Sequence, residues 1–194
     1  MLQSSPQPGD VRFVDQNHDG VINEKDKIDL GNGMPEFTYG FNIGFDWKGF
    51  DFNVTAYGAA GAEIVQSYRN HANRFANYTT AVLDRWHGEG TSNRTPRVTD
   101  TNINYQDFSD LLLQDGSYLR ISNVTVGYDF SHMANAKWLS KARLYASVQN
   151  ALTFTKYDGM DPEIGFGTDG WCSGIDVGYY PHPRVFILGV NLQF

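Results

Sequence analysis

The chain has 194 residues, a formal net charge of −7 and a sequence pI near 5.1. It carries no Lys/Arg cluster able to neutralise a run of phosphates, which excludes a nucleic-acid surface. One cysteine, Cys172, excludes an internal disulfide, and no second Cys or tight His group gives it zinc-ligand company.

An apolar run of about 18 residues is also missing, so no membrane-spanning helix is encoded. Aromatic residues nevertheless make up 14% of the chain, glycines number 20, and mean hydropathy is −0.43. That mixture fits a transmembrane β-barrel, whose strands alternate lipid-facing apolar with lumen-facing polar residues between aromatic girdles.

The N-terminus "MLQSSPQPGD" lacks the basic, apolar, small-residue order of a signal peptide. Taken literally this predicts a cytoplasmic chain, and the composition predicts the opposite.

The first motif is "DQNHDGVINEKD", residues 15–26. Asp15, Asn17 and Asp19 occupy positions one, three and five of a calcium-type loop, and Gly20 the sharp turn at six. Val21 offers its carbonyl at seven, and Asn23 and Asp26 fill nine and twelve. A helix-loop-helix hand usually closes with Glu at position twelve, and Asp26 is a shorter arm. Dockerin loops resemble this arrangement, but a second D-x-N-x-D-G is absent. The expected ligand is a structural calcium ion. The alternative is an Asx-rich turn whose side chains cap their own backbone N–H groups without metal.

Five stretches alternate with period two. In "EFTYGFNIGFDW", Phe37, Tyr39, Phe41, Ile43 and Phe45 oppose Thr38, Gly40, Asn42, Gly44 and Asp46. Trp47-Lys48-Gly49 predicts a tight turn into "FDFNVTAYG", where Phe50, Phe52, Val54 and Ala56 share a face. In "SYLRISNVTVGYDF", Val124, Val126, Tyr128 and Phe130 are in register while Leu119 and Ile121 lie in the opposite phase. That switch predicts a bulge near Ser122-Asn123, or burial of the first part on its other face. "ARLYASVQN" alternates Leu144, Ala146 and Val148 with polar residues. "RVFILGVNLQF" lines Phe186, Leu188, Val190, Leu192 and Phe194 on one face.

Two long connections separate the strands. Residues 59–115 contain Ile64, Tyr68, Ala72, Phe75, Thr79, Val82 and Trp86 at helical spacing, which predicts a partly helical loop. Residues 156–183 are irregular. Asp158, Asp161 and Glu163 there are the nearest approach to a glycosidic acid/base pair, but no spacing establishes their separation. His132 and His182 stand apart from any nucleophile, so no catalytic residues are expected.

The order of "PGDVRFVDQNHDGVINEKDKIDLGN", "PEFTYGFNIGFDWKGFDFNV", "LDRWHGEG…PR", "GSYLRISNVTVGYDF", "ARLYASVQNALTFTKYDGMDPEIG" and "YYPHPRVFILGVNLQF" closely resembles the C-terminal part of SusC/RagA-type TonB-dependent transporters of the Bacteroidetes outer membrane. The resemblance runs from Pro8 onward.

It implies an all-β fold, part of a 22-stranded antiparallel transmembrane barrel with long extracellular loops. Residues 1–194 would be its C-terminal segment, without the plug domain and the N-terminal strands, and 15–26 a stapled extracellular loop. It further implies import of oligosaccharide or peptide, a SusD-like surface lipoprotein as lid, TonB acting through the missing N-terminal part, contact with outer-membrane lipid, and no enzymatic activity.

Five strands would leave two open edges, and an open sheet cannot span lipid, so further barrel strands are expected as partners. Trp86, Tyr105, Trp171, Tyr179 and Tyr180 are the candidates for stacking on a sugar ring. The plainer reading makes Trp86 internal packing of its loop and Tyr179-Tyr180 part of an interfacial girdle. The competing class is a soluble, secreted, β-rich binding module stapled by calcium.

Overall fold

The computed structural model describes residues 5–67, 78–100, 103–105, 107–131, 139–164 and 174–194. Their regular elements are eight strands and three short 3-10 turns. By internal contacts the chain divides into Met1–Gly31 with Gln66–Leu113, and Asn32–Val65 with Gln114–Phe194.

The second unit is built on a five-stranded antiparallel sheet in the order β1-β2-β5-β6-β8. Its strands are β1 (Phe37–Trp47), β2 (Phe50–Ala60), β5 (Tyr118–Asp129), β6 (Lys141–Thr155) and β8 (Val185–Gln193). All five period-two stretches of the sequence are therefore strands. Their lengths suit a bilayer crossed by tilted strands, which takes about 9–11 residues. Among the described residues no helix is long and apolar enough to cross a membrane.

The β1–β2 connection is Lys48-Gly49, with φ of 48° and 87°. Two successive left-handed residues make the tight hairpin turn whose twist matches that of the strands. Glycine is needed second, because a Cβ at Gly49 would lie 2.9 Å from the Asp129 carbonyl oxygen.

From that turn the register carries the side-chain alternation across the sheet. Phe45 faces Phe52, Phe52 faces Val126, Val126 faces Ala146, and Ala146 faces Leu188. Ile43, Val54, Val124, Val148 and Phe186 form the next row. The pairing shifts between Thr55 and Ala56, where Ser122 is the extra residue, and its hydroxyl donates to the Thr55 carbonyl at 3.1 Å. This bulge restores Leu119 and Ile121 to the apolar face, as their phase in the sequence requires.

Tyrosines fill the gaps above glycines. The Tyr39 ring lies over Gly58 and its hydroxyl donates to the Tyr118 carbonyl at 3.0 Å. A Cβ at Gly58 would meet that same carbonyl oxygen at 2.2 Å. Backbone cannot retreat from such a clash, so Gly58→Ala is expected to cost about 1–3 kcal/mol or more. At Gly40 the nearest atom would be 3.5 Å away, so Gly40→Ala should be tolerated. Heat-modifiable electrophoretic mobility of the assembled barrel reports both.

The connections β2–β5 and β6–β8 are long and leave from the same end of the sheet, opposite the Lys48-Gly49 turn. Shorter connections at one end and long loops at the other are the arrangement of outer-membrane barrels. Within these connections a small sheet forms in the order β4-β3-β7 from β3 (Glu63–Gln66), β4 (Leu113–Asp115) and β7 (Ile175–Asp176).

Buried Ile64, Tyr157 and Ile164, with partly buried Tyr179, form a local core. Ile64, grouped by spacing with a helix, therefore lies in a strand, and Val82 in the 3-10 turn Thr80–Asp84. Tyr68, Ala72 and Phe75 lie outside the described residues.

The apolar face of the large sheet is bare. Ile43 is 58% exposed, Phe186 74% and Leu188 76%. A single layer with a continuous apolar face has nothing to bury it against in water, and a patch of this kind marks a protein or lipid contact.

Candidate functional site

The opposite face of the sheet is polar and cross-linked. Asn42 donates to Asn53 at 3.2 Å and to Thr55 at 2.7 Å. On the neighbouring strands Ser147 donates to Asn123 at 2.7 Å, and Thr125 and Ser147 share a hydrogen bond of 2.9 Å. Arg143 clamps Asp51 with its Nε and Nη2 across three strands. These short polar side chains satisfy one another, so the surface is hydrophilic with little unpaired charge.

The densest cluster sits at the long-loop end of this face. Arg120, third residue of β5, is 1% exposed. Its guanidinium bonds the Asp161 carboxylate and lies 3.5 Å from Glu163. Glu163 also accepts from the Tyr57 hydroxyl at 2.8 Å. Asp161 Oδ2 accepts from the His182 backbone N–H at 3.0 Å and lies 3.0 Å from His182 Nδ1. Burial pushes the Asp161 carboxyl up, but the N–H groups of His182 and Glu163, the imidazole and Arg120 outweigh it and hold its pKa below 3.8.

Asp161, Glu163 and His182 bring ligand-type atoms within 4.8 Å of one another. The guanidinium already stands where a cation would balance the two carboxylates, so the cluster works as an ion-pair network. It also withdraws Asp161 and Glu163 from acid/base chemistry. The sequence alone offers those carboxylates without their partner. The available signal was an arginine between Leu119 and Ile121 in a strand.

In the other unit, the predicted calcium residues form one exposed loop. Asp15 Oδ2 accepts from Gly20 N–H at 2.9 Å and Oδ1 from Asp19 N–H at 3.3 Å. Asn17 accepts from Asp19 N–H and Asp19 from Val21 N–H, both at 2.9 Å. Asp26 accepts from Asn23 N–H at 2.7 Å and Gln16 N–H at 2.9 Å. The Asn23 N–H above all, then the Gln16 N–H and the Asp15 side chain, lower the Asp26 pKa against an opposing desolvation. Gly20 takes φ of 85° at the sharp turn. The six residues thus wrap one short loop whose Asp and Asn oxygens accept from its own N–H groups, as those of an Asx-rich turn do.

Beside it, Arg97 holds Asp10 through Nε at 2.6 Å, and the Asp10 side chain is only 2% exposed. The Arg97 hydrogen bond lowers the Asp10 pKa against the cost of burial. The Trp86 ring packs on Gly9, and its backbone N–H donates to the Thr95 carbonyl at 2.9 Å. Trp86 also borders an open hollow of about 530 Å³, with Asp10, Asn93, Arg94 and Asp110 on its rim.

The described aromatic candidates are divided between the two units. Trp86 and Tyr105 belong to this unit, Tyr105 half-buried. Tyr179 and Tyr180 belong to the other, Tyr179 packed against the loop core and Tyr180 87% exposed. Trp171 lies outside the described residues, as do His132 and Cys172.

No family model matches the chain. Relatives match along its whole length. TonB-dependent receptor P3 of Formosa agariphila is 32% identical over 200 residues, covering 100% of this chain and 20% of the relative. TonB-dependent receptor SusC of Bacteroides thetaiotaomicron is 29% identical over 191 residues, covering 96% and 18%.

Among solved structures, the RagAB peptide importer in its open-open state superposes with a TM-score of 0.64 at 25% identity, covering 83% of this chain and 17% of that one. Its closed-closed state gives 0.66 at 25% identity, covering 85% and 18%. The chain thus spans about a fifth of the length of the relatives it matches. With its bare apolar face, polar inner face and one-sided long loops, the chain corresponds to a segment of the SusC/RagA-type TonB-dependent receptors of the outer membrane.

Proposed function

We propose that this chain supplies barrel wall and extracellular loops to an outer-membrane importer of oligosaccharide or peptide, energised through TonB and lidded by a SusD-like surface lipoprotein. The observation that carries the reading is the five-stranded sheet, apolar and aromatic on one face and polar on the other. Only a barrel closed by further strands satisfies its two edges in lipid. Sequence relatives that are receptors and a fold neighbour that is a peptide importer support the transport role. The bare apolar face argues against the soluble, calcium-stapled module.

Gel filtration of residues 1–194 with and without detergent tests the choice. Aggregation in buffer, relieved by detergent or by co-expressed partner strands, is the expected result. A monodisperse monomer in buffer would restore the soluble module.

Calcium belongs to the same proposal. Asp15, Asn17, Asp19, Asn23 and Asp26, with the Val21 carbonyl, would hold it, and the ion would supply rigidity to an exposed loop rather than chemistry. Calorimetric titration of the full-length receptor should show a binding heat in the wild type that Asp19→Ala abolishes. Equal heats in the two would leave the loop a metal-free Asx turn.

A further inference from the structure

We propose that the β6–β8 connection is folded inward over the pore-facing side of the sheet and fastened there by Arg120. Residues 156–164 and 181–184 would then form a fixed constriction at the channel mouth. This rests on the barrel reading.

Arg120 stands in register with Tyr57 on β2 and Thr153 on β6, on the face shared with Asn53, Thr55 and Thr125. A side chain on that face is reached only by chain lying on that side. Asp161 and Glu163 reach it, so the connection bends over the inner wall instead of extending beyond the strand ends. Its outgoing and returning halves are clasped together, because Asp161 also holds the backbone and ring of His182. Tyr57 fixes Glu163 to a second wall strand.

Arg120 Nε is buried without a hydrogen-bond partner, and the side chains of Arg120 and Asp161 are 2% and 6% exposed. Moving the loop away would separate this pair and strand the Arg120 charge against the wall, so the arrangement has one stable position. Farther out, Tyr157 donates to Asp176, and Gln114 accepts from the Asp158 N–H at 2.9 Å, tying the loop to the small sheet. A permeating solute would meet the exposed parts, namely Met160, Asp158 and the His182 ring.

The test uses the full-length receptor on intact cells, with Met160→Cys in a background where every native cysteine, Cys172 among them, is replaced by serine. A small charged maleimide should label position 160 readily, whereas a polyethylene-glycol maleimide of a few kilodaltons should react at least about tenfold more slowly. Arg120→Met should remove most of that difference and Arg120→Lys only part of it. Should Arg120→Met fail to give a heat-modifiable band, Tyr57→Phe combined with Glu163→Gln takes its place with the same expected result.

Equal rates for the two reagents in the wild-type background would overturn the inward fold. Unchanged exclusion in a folded Arg120→Met would overturn Arg120 as the fastening. A wild-type band that does not shift on heating would overturn the barrel reading itself.

Discussion

The variant Leu188→Arg is expected to lose about 2–4 kcal/mol of barrel stability, near the value for a cation on the lipid face close to the midplane. Leu188 lies mid-strand in β8, is 76% exposed, and continues the row Phe45, Phe52, Val126 and Ala146. Ile187, one residue earlier, pairs with Ser147 on the polar face. Ile187→Arg should cost far less, because its charge would meet water and hydroxyls. Comparing denaturant midpoints of the two variants in detergent or lipid tests the assignment of faces. Equal losses would contradict it.

Arg120→Met is expected to cost about 3–5 kcal/mol, the range for removing one partner of a buried ion pair. The loss comes mainly from what is left behind, since Asp161 is 6% exposed and Glu163 stays bound to Tyr57. Asp161→Asn should cost less, because the one oxygen it keeps can still accept from Arg120 Nη2 and the Glu163 N–H, which share Asp161 Oδ1 in the wild type, while the His182 N–H on Oδ2 loses its acceptor. Thermal unfolding of the two variants and their double mutant should show strong non-additivity. Additive losses would mean that the two residues act separately.

The wall of the barrel was legible in the sequence because period-two alternation is a local signal, repeated over strands of nine or more residues. The turn at Lys48-Gly49 and the bulge at Ser122 were legible for related reasons. One needs a residue tolerant of positive φ, and the other leaves a visible phase error between Ile121 and Val124.

The small sheet was not legible. β3, β4 and β7 are two to four residues long, and long-range pairing rather than pattern decides them. Ile64 shows the consequence, since helical spacing placed it in a helix while tertiary packing puts it in a strand against Tyr157 and Ile164.

The ion-pair network was half legible. Asp161 and Glu163 stood out as acidic residues close in sequence, but Arg120, 41 residues from Asp161, turned the pair from candidate chemistry into an attachment. The aromatic stacking candidates stay expectations, because a lone Trp or Tyr in a loop carries no information about its neighbours.

The central claim is that one face of the sheet meets lipid and the other lines a polar lumen. Spin labels placed singly at each position from Phe37 to Trp47 of the full-length receptor in bilayers test it most directly. Accessibility to oxygen should alternate with period two, high at Phe37, Tyr39, Phe41, Ile43 and Phe45 and low at the residues between them. A profile without that alternation, or water-soluble relaxant reaching both faces alike, would contradict the account.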